Sequence, residues 1–228
     1  MIQKRLFSVG IAALGILCVG LTVQPALRAA SVTTTSVSDF PEGPVSPGSS
    51  STLVRNDTGV SATFLVSDLN PGVVYTFWWL VFNEPENCSP PACNLDDVVP
   101  FPGNSAAGVS LLFGAGQVIG NSGSGHYGAR LAVGDTTGAL FGPGLVDPLG
   151  AEIHIVLRSH GPVVDGMVDE QLTSFNGGCP PNTCANVLAA QHKPFTDDAT
   201  AQLDSIAAQL TATKSLLDRL ARAFSINP

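Results

Sequence analysis

Val73-Val74-Tyr75-Thr76-Phe77-Trp78-Trp79-Leu80-Val81-Phe82 is a ten-residue run in which only Thr76 is neither aliphatic nor aromatic. β-Branched and aromatic residues suit a pleated, buried surface, so the run predicts a strand. Side chains alternate between the two faces of a strand. Tyr75, Phe77, Trp79 and Val81 share one face, and Thr76, Trp78, Leu80 and Phe82 the other. Apolar groups on both faces predict a central strand covered on both sides.

Working outward, Asp68-Leu69-Asn70-Pro71-Gly72 has Pro and Gly placed for a turn. Residues 61 to 66, 109 to 113, 117 to 119, 127 to 133, 151 to 159 and 186 to 191 are further short runs of strand character. Asn121-Ser122-Gly123-Ser124-Gly125 reads as a hairpin connection, with residues 127 to 133 as its return strand. Dense Gly and Pro punctuation without helical periodicity predicts an all-β fold. The expected architecture is an antiparallel β-sandwich over residues 53 to 192, with a C-terminal amphipathic α-helix. Residues 31 to 52, rich in Ser, Thr, Pro and Gly, read as a linker or loose leading strand.

The first 30 residues have the form of a signal peptide. Lys4 and Arg5 precede an uncharged, mostly apolar run, and Ala26, Ala29 and Ala30 offer small residues for cleavage. An uncleaved anchor is the alternative, disfavoured by Gly10, Gly15, Gly20 and Pro25. The expectation is a secreted, periplasmic or cell-surface protein with no stable membrane span after cleavage. Cleavage would leave seven of the ten basic residues against all 18 acidic ones, a net charge of −11. Such a surface repels nucleic acid and anionic lipid headgroups, which excludes a nucleic-acid role. About 160 residues then remain before Lys193, enough for one well-filled core.

Cys88 and Cys93 enclose Ser89-Pro90-Pro91-Ala92, and Cys179 and Cys184 enclose Pro180-Pro181-Asn182-Thr183. Phe82-Asn83 precedes the first pair and Phe175-Asn176 the second. Outside the cytosol these thiols are expected to oxidise, and local pairing, Cys88–Cys93 and Cys179–Cys184, is favoured by the Pro-Pro bends. Structural zinc is the alternative for such spacing. Closing loops this short contributes roughly 2 to 3 kcal/mol each in the chain-entropy account, so they shape loops more than they hold the fold.

Glu152-Ile153-His154-Ile155-Val156-Leu157-Arg158-Ser159-His160 combines a core face with a chemically rich one. Ile153, Ile155 and Leu157 point one way; Glu152, His154, Val156, Arg158 and His160 point the other. The polar set is either the solvated face of the sheet or a metal site for Cu or Zn built from Glu152, His154 and His160. Glu152 and His160 lie about 27 Å apart along an ideal strand. One ion could therefore be held by Glu152 with His154, or by His160 with a loop residue. His126 and His192 are further candidate ligands. Asn94, Asp96 and Asp97 are candidates for Ca, without an EF-hand pattern. There is no Gly-x-Ser-x-Gly motif, and adjacent acids such as Asp96-Asp97 point apart, so no catalytic constellation assembles.

Phe77-Trp78-Trp79-Leu80-Val81-Phe82-Asn83, the stretch from Gly150 to Pro162, and Phe175-Asn176-Gly177-Gly178-Cys179 together resemble a group of exported bacterial proteins of unknown function. The resemblance covers most of residues 60 to 192 and implies export but no activity. His160-Gly161-Pro162 is similar to a stretch of the secreted CHRD-type β domains.

From residue 196 onward Gly is absent. Leu203, Ile206, Leu210, Thr213, Leu217, Leu220 and Phe224 recur at alternating spacings of three and four, a heptad seam. A helix over residues 196 to 226 would either dock on the β domain or self-associate into a homo-oligomer. The functional expectation is a non-enzymatic binding or structural module. A metalloprotein using His154 and a carbohydrate-binding domain using loop aromatics are the alternatives.

Overall fold

The computed structural model describes residues 30–90, 92–179 and 184–195. The expected signal sequence, all but its last residue, and the heptad helix with Leu203, Ile206, Leu210, Leu217, Leu220 and Phe224 lie outside the described residues. Nine strands form: β1 (Ser31–Asp39), β2 (Val45–Asn56), β3 (Gly59–Val66), β4 (Val73–Phe82), β5 (Val109–Val118), β6 (Gly125–Ala132), β7 (Ala139–Phe141), β8 (Glu152–Pro162) and β9 (Ala185–His192). A short helix, α1 (Val168–Thr173), follows β8.

The strands join one antiparallel sheet in the order β6-β3-β2-β1-β9-β8-β4-β5-β7. This corrects the expectation of two separate sheets: a single sheet curls over its own core. It has two leaves, β6-β3-β2-β1 and β9-β8-β4-β5-β7. They meet at a narrow seam where β1 and β9 pair only through Ser38↔Ala189 and Asp39↔Leu188. Phe64 of the first leaf packs on Phe77 of the second, with ring centroids 6.1 Å apart. Leu53, Val60, Phe64, Trp79, Leu112, Ile153, Ile155 and Leu157 fill the space between the leaves.

β4 is central, paired with β5 on one side and β8 on the other. Its two faces enter different apolar clusters, as alternation requires. Tyr75, Phe77, Trp79 and Val81 enter the main core, and Trp78, Leu80 and Phe82 a second cluster on the opposite face. A bulge in β5 places Gly114 against Phe77, where any Cβ would overlap the aromatic ring.

Two local expectations are corrected. Of the two expectations for residues 31 to 52, the strand reading stands and the linker does not: they form β1 and most of β2, in continuous register from Ser31↔Arg55 to Ser36↔Ser50. Thr is β-branched and strand-compatible, and Thr34 and Thr52 hydroxyls bond across the pair at 3.0 Å. The stretch after β5 is not a hairpin either. β6 pairs with β3 on the other leaf, so residues 119 to 124 cross between leaves. Leu69 and Gly72 amides hold that crossing by donating to the Gly123 and Ile119 carbonyls.

Arg55 is fully buried on β2. Its guanidinium donates to the carbonyls of Pro148, Ala151, His192 and Lys193 at 2.7–3.1 Å, tying β2 to the start of β8 and the end of β9. Burial lowers its pKa to about 10, against the pull of Asp147 and Glu152. His192 is buried beside it, bonded to Thr33 Oγ1 and Ser51 Oγ at 3.0 and 2.8 Å. Among the described residues, no helix is long and apolar enough to cross a membrane.

Candidate ligand cleft beneath the cysteine loops

The outer face of β4 and β8 is where the sequence placed its polar candidates. It is not solvated. Glu152, His154, Val156, Arg158 and His160 do share one face, but each is at most 9% exposed. Loops cover them. Cys93, Val98 and Ala107 of the segment between β4 and β5 pack on Trp78, Leu80, Phe82 and Val156, while Phe175, preceding the second cysteine pair, packs against the edge.

Each cover has its own fastening. Cys88–Cys93 and Cys179–Cys184 are at disulfide distance, with Cα separations of 4.9 and 5.4 Å, as local pairing predicts. In the first loop Asp97 is fully buried. Its carboxylate accepts from the Ser89 and Asn94 amides and from Asn104 Nδ2 at 2.8–3.2 Å. Burial pushes the Asp97 pKa up, but these donors outweigh it and hold the group below the usual aspartate range. Asn94 caps the 3-10 turn Leu95–Asp97 in return. Asn94 and Asp97, candidates for calcium on sequence, spend their oxygens on loop hydrogen bonds instead.

Arg158 fastens the second loop. Nε donates to the Phe175 carbonyl at 2.6 Å, NH1 to Asn186 Oδ1 at 2.8 Å and NH2 to Asn176 Oδ1 at 2.9 Å. A longer contact reaches the Cys184 carbonyl. The guanidinium also lies 4.0 Å from the centre of the Phe175 ring. Phe175 meets Trp78 edge-on at 5.0 Å, so Arg158, Phe175 and Trp78 form one packed column.

A cleft of about 210 Å³ remains between these covers. Trp78, Leu80, Val156 and Ala189 form its floor; Phe40, from the β1–β2 turn, Val98, Phe101 and Phe175 form its walls. Leu95, Val99 and Phe101 at the rim are 39%, 42% and 51% exposed, a local concentration of apolar surface. His154, Arg158, Asn186 and Gln191 supply polar groups to the lining.

His154 is the distinctive one. Nε2 lies 2.6 Å from Glu152 Oε1, and Lys193 Nζ lies 2.7 Å from the same oxygen. Burial pushes the Glu152 pKa up, but the bonds from His154 and Lys193 prevail and keep it ionised below the usual glutamate range. An ionised carboxylate accepts only, so Nε2 carries a proton and, in neutral imidazole, Nδ1 is left as an acceptor. Among the described residues nothing bonds to Nδ1, although His154 is only 5% exposed.

The three metal candidates thus separate. Glu152 and His154 touch, while His160 bonds Thr76 Oγ1 through Nε2 at 2.8 Å and the Gly177 carbonyl through Nδ1 at 3.0 Å. His126 is exposed on β6 and His192 lies inside the sheet near Arg55, so the four histidines do not converge. Sequence reasoning missed Arg55, Arg158 and Asp97 as organising groups. A lone Arg within an apolar strand was the available signal for the first two. Comparison with known proteins found no matching family model, no matching curated protein and no matching solved structure.

Proposed function

We propose that this protein is an exported, non-enzymatic binding module that takes a small, largely apolar molecule into the cleft between its cysteine loops. The observation that carries this reading is the pairing of an apolar cleft of about 210 Å³ with a buried, carboxylate-oriented His154 whose Nδ1 lacks a protein partner. Ligand sites are typically apolar concavities with a few placed polar groups. The volume suits one or two fused rings, since a cavity of about 150 Å³ holds benzene. Arg158 has its donors committed to the second loop, and His154 Nδ1 joins the side chains of Glu42, Asn94, Asn186 and Gln191 as the acceptors that can orient a ligand. The ligand class is therefore a flat aromatic molecule with one N–H or O–H donor.

Export rests on the leader-like residues 1 to 30 and on two cysteine pairs at disulfide distance, which are compatible with an extracellular or periplasmic location. Self-association rests on the heptad seam alone. A metal held by Glu152 and His154 is less favoured, because Glu152 Oε1 is already shared by two donors. The carbohydrate alternative rests on the loop aromatics, of which Phe101 at the cleft rim is 51% exposed.

The test is calorimetric titration of the mature protein with indole, phenol and their N- or O-methylated forms. The reading expects saturable binding of indole or phenol with Kd between about 10 μM and 1 mM, weakened at least tenfold by methylation of the donor. Ala189→Phe, which fills the cleft from its floor, abolishes it. Equal binding of the methylated forms, or undiminished binding in Ala189→Phe, overturns the reading.

A further inference from the structure

The two cysteine pairs share spacing and Pro content, but their surroundings differ. Cys93 is buried in the apolar cluster under the first loop, and no histidine approaches the Cys88–Cys93 pair within bonding distance among the described residues. Cys179 and Cys184 are partly exposed, and His160 Nδ1 lies 3.3 Å from each of their sulfurs. All three ligating atoms lie within 4.8 Å of one another. The Gly177 carbonyl holds this imidazole nitrogen beside both sulfurs, and the sulfurs, bonded to each other here, would have to part before both could ligate one ion. A nitrogen and a thiolate bound to the same tetrahedral d10 ion are separated by about 3.5 Å, from bond lengths of about 2.0 and 2.3 Å.

We infer that His160, Cys179 and Cys184 form a redox-gated site for one thiophilic ion, Cu(I) or Zn(II), closed by the disulfide and opened by its reduction. The opening step is thiol–disulfide exchange with an external dithiol. The dithiol gives two electrons and two protons, its sulfurs join as a disulfide, and the Cys179–Cys184 bond breaks to two thiols. Metal binding then releases both thiol protons and leaves two thiolates and Nδ1 on the ion.

The surroundings accommodate both states. With the disulfide closed, Nδ1–H donates to the Gly177 carbonyl, and the Thr76 hydroxyl donates to Nε2. Thr76 Oγ1 meanwhile accepts from Trp78 Nε1 at 2.7 Å. A metal on Nδ1 moves the ring proton to Nε2, and Thr76 Oγ1 has a second lone pair to accept it. Thr76 is thus a second-layer partner that fixes the ring plane in either tautomer, as outer partners of metal-bound histidines do. Soft thiolate donors select Cu(I) and Zn(II) over Ca and Mg. This site does not depend on the cleft reading, since His160 does not line the cleft.

The test is anaerobic metal binding by the mature protein, reduced by dithiol and freed of it, with Zn(II) and Cu(I) offered separately and stoichiometry read by native mass spectrometry. The expected result is one ion per reduced chain and none per oxidised chain. Cys88→Ser/Cys93→Ser keeps the ion, and Cys179→Ser/Cys184→Ser loses it. Thr76→Val, which keeps shape but removes the hydroxyl, weakens affinity about 10- to 100-fold. Cobalt substitution of reduced protein gives a thiolate-to-metal absorption band that the Cys179→Ser/Cys184→Ser protein lacks. A reduced chain that binds neither ion, or a Cys179→Ser/Cys184→Ser protein that binds as wild type does, overturns the inference.

Discussion

Arg158 and Phe175 grip each other twice: the guanidinium lies over the ring at 4.0 Å, and its Nε donates to the carbonyl of the same residue at 2.6 Å. A strand residue thereby fixes a loop aromatic that forms one wall of the cleft. Lys cannot reproduce this, because an ammonium lacks the planar fork. Arg158→Lys should lower stability by about 1 to 2 kcal/mol in urea unfolding, as several part-buried hydrogen bonds to a charged donor are lost. It should also shift the Trp78 emission, because Phe175 packs on that indole.

Arg55→Met is expected to be worse. Four backbone carbonyls from two elements converge on that one guanidinium. Removing it strands them away from water, with a cost of about 3 to 5 kcal/mol by analogy with breaking buried charged networks. Chemical denaturation would show the midpoint falling steeply, and an unchanged midpoint would contradict the clamp.

Acid should weaken the protein before its carboxylates titrate. Burial, with the positive charge of Arg55 and the neighbouring His154, lowers the His192 pKa to about 4 from an ordinary 6.5. Below pH 6.5 the unfolded chain takes up a proton that the folded chain refuses, so stability falls as pH drops from about 6.5 to about 4. The full swing is on the order of 3 kcal/mol. His192→Gln, measured by thermal unfolding between pH 5 and 7, should flatten this slope. A slope equal to that of wild type would assign it elsewhere.

Asp97→Ala should release the first cysteine loop without unfolding the sheet. Its carboxylate gathers Ser89, Asn94 and Asn104 at one buried point. Faster proteolysis within residues 83 to 102 and at least tenfold weaker binding of a cleft ligand are expected, with the sheet's circular dichroism preserved.

Deletion of residues 197 to 228 tests the heptad seam. Light scattering should give a larger mass for the longer chain than for the truncated one. Equal monomeric masses would end the self-association reading.

The period-2 pattern of β4 and β8 made their faces legible, because alternation follows from strand geometry whatever surrounds it. Cysteine spacing made the local pairs legible for a similar reason. What covered the polar face of β8 was not legible. The cover depends on Asp97, Arg158 and Phe175, whose partners return through loops that carry no periodic signal. Residues 31 to 52 misled by composition, since Ser and Thr serve a strand as readily as a linker. β6 misled by proximity: the turn residues before it suggested a hairpin, yet Phe64 and Tyr127 draw it to β3.

The seam between β1 and β9 sets an order of events. Thr33 bonds His192 across 159 positions of sequence, and the β1–β9 ladder has two residue pairs among the described residues. The opening strand must therefore wait, with one edge unpaired, until the last described strand has emerged to meet it. A chain with that constraint closes its sheet only after β9 has formed, a long-range step that local contacts cannot hasten.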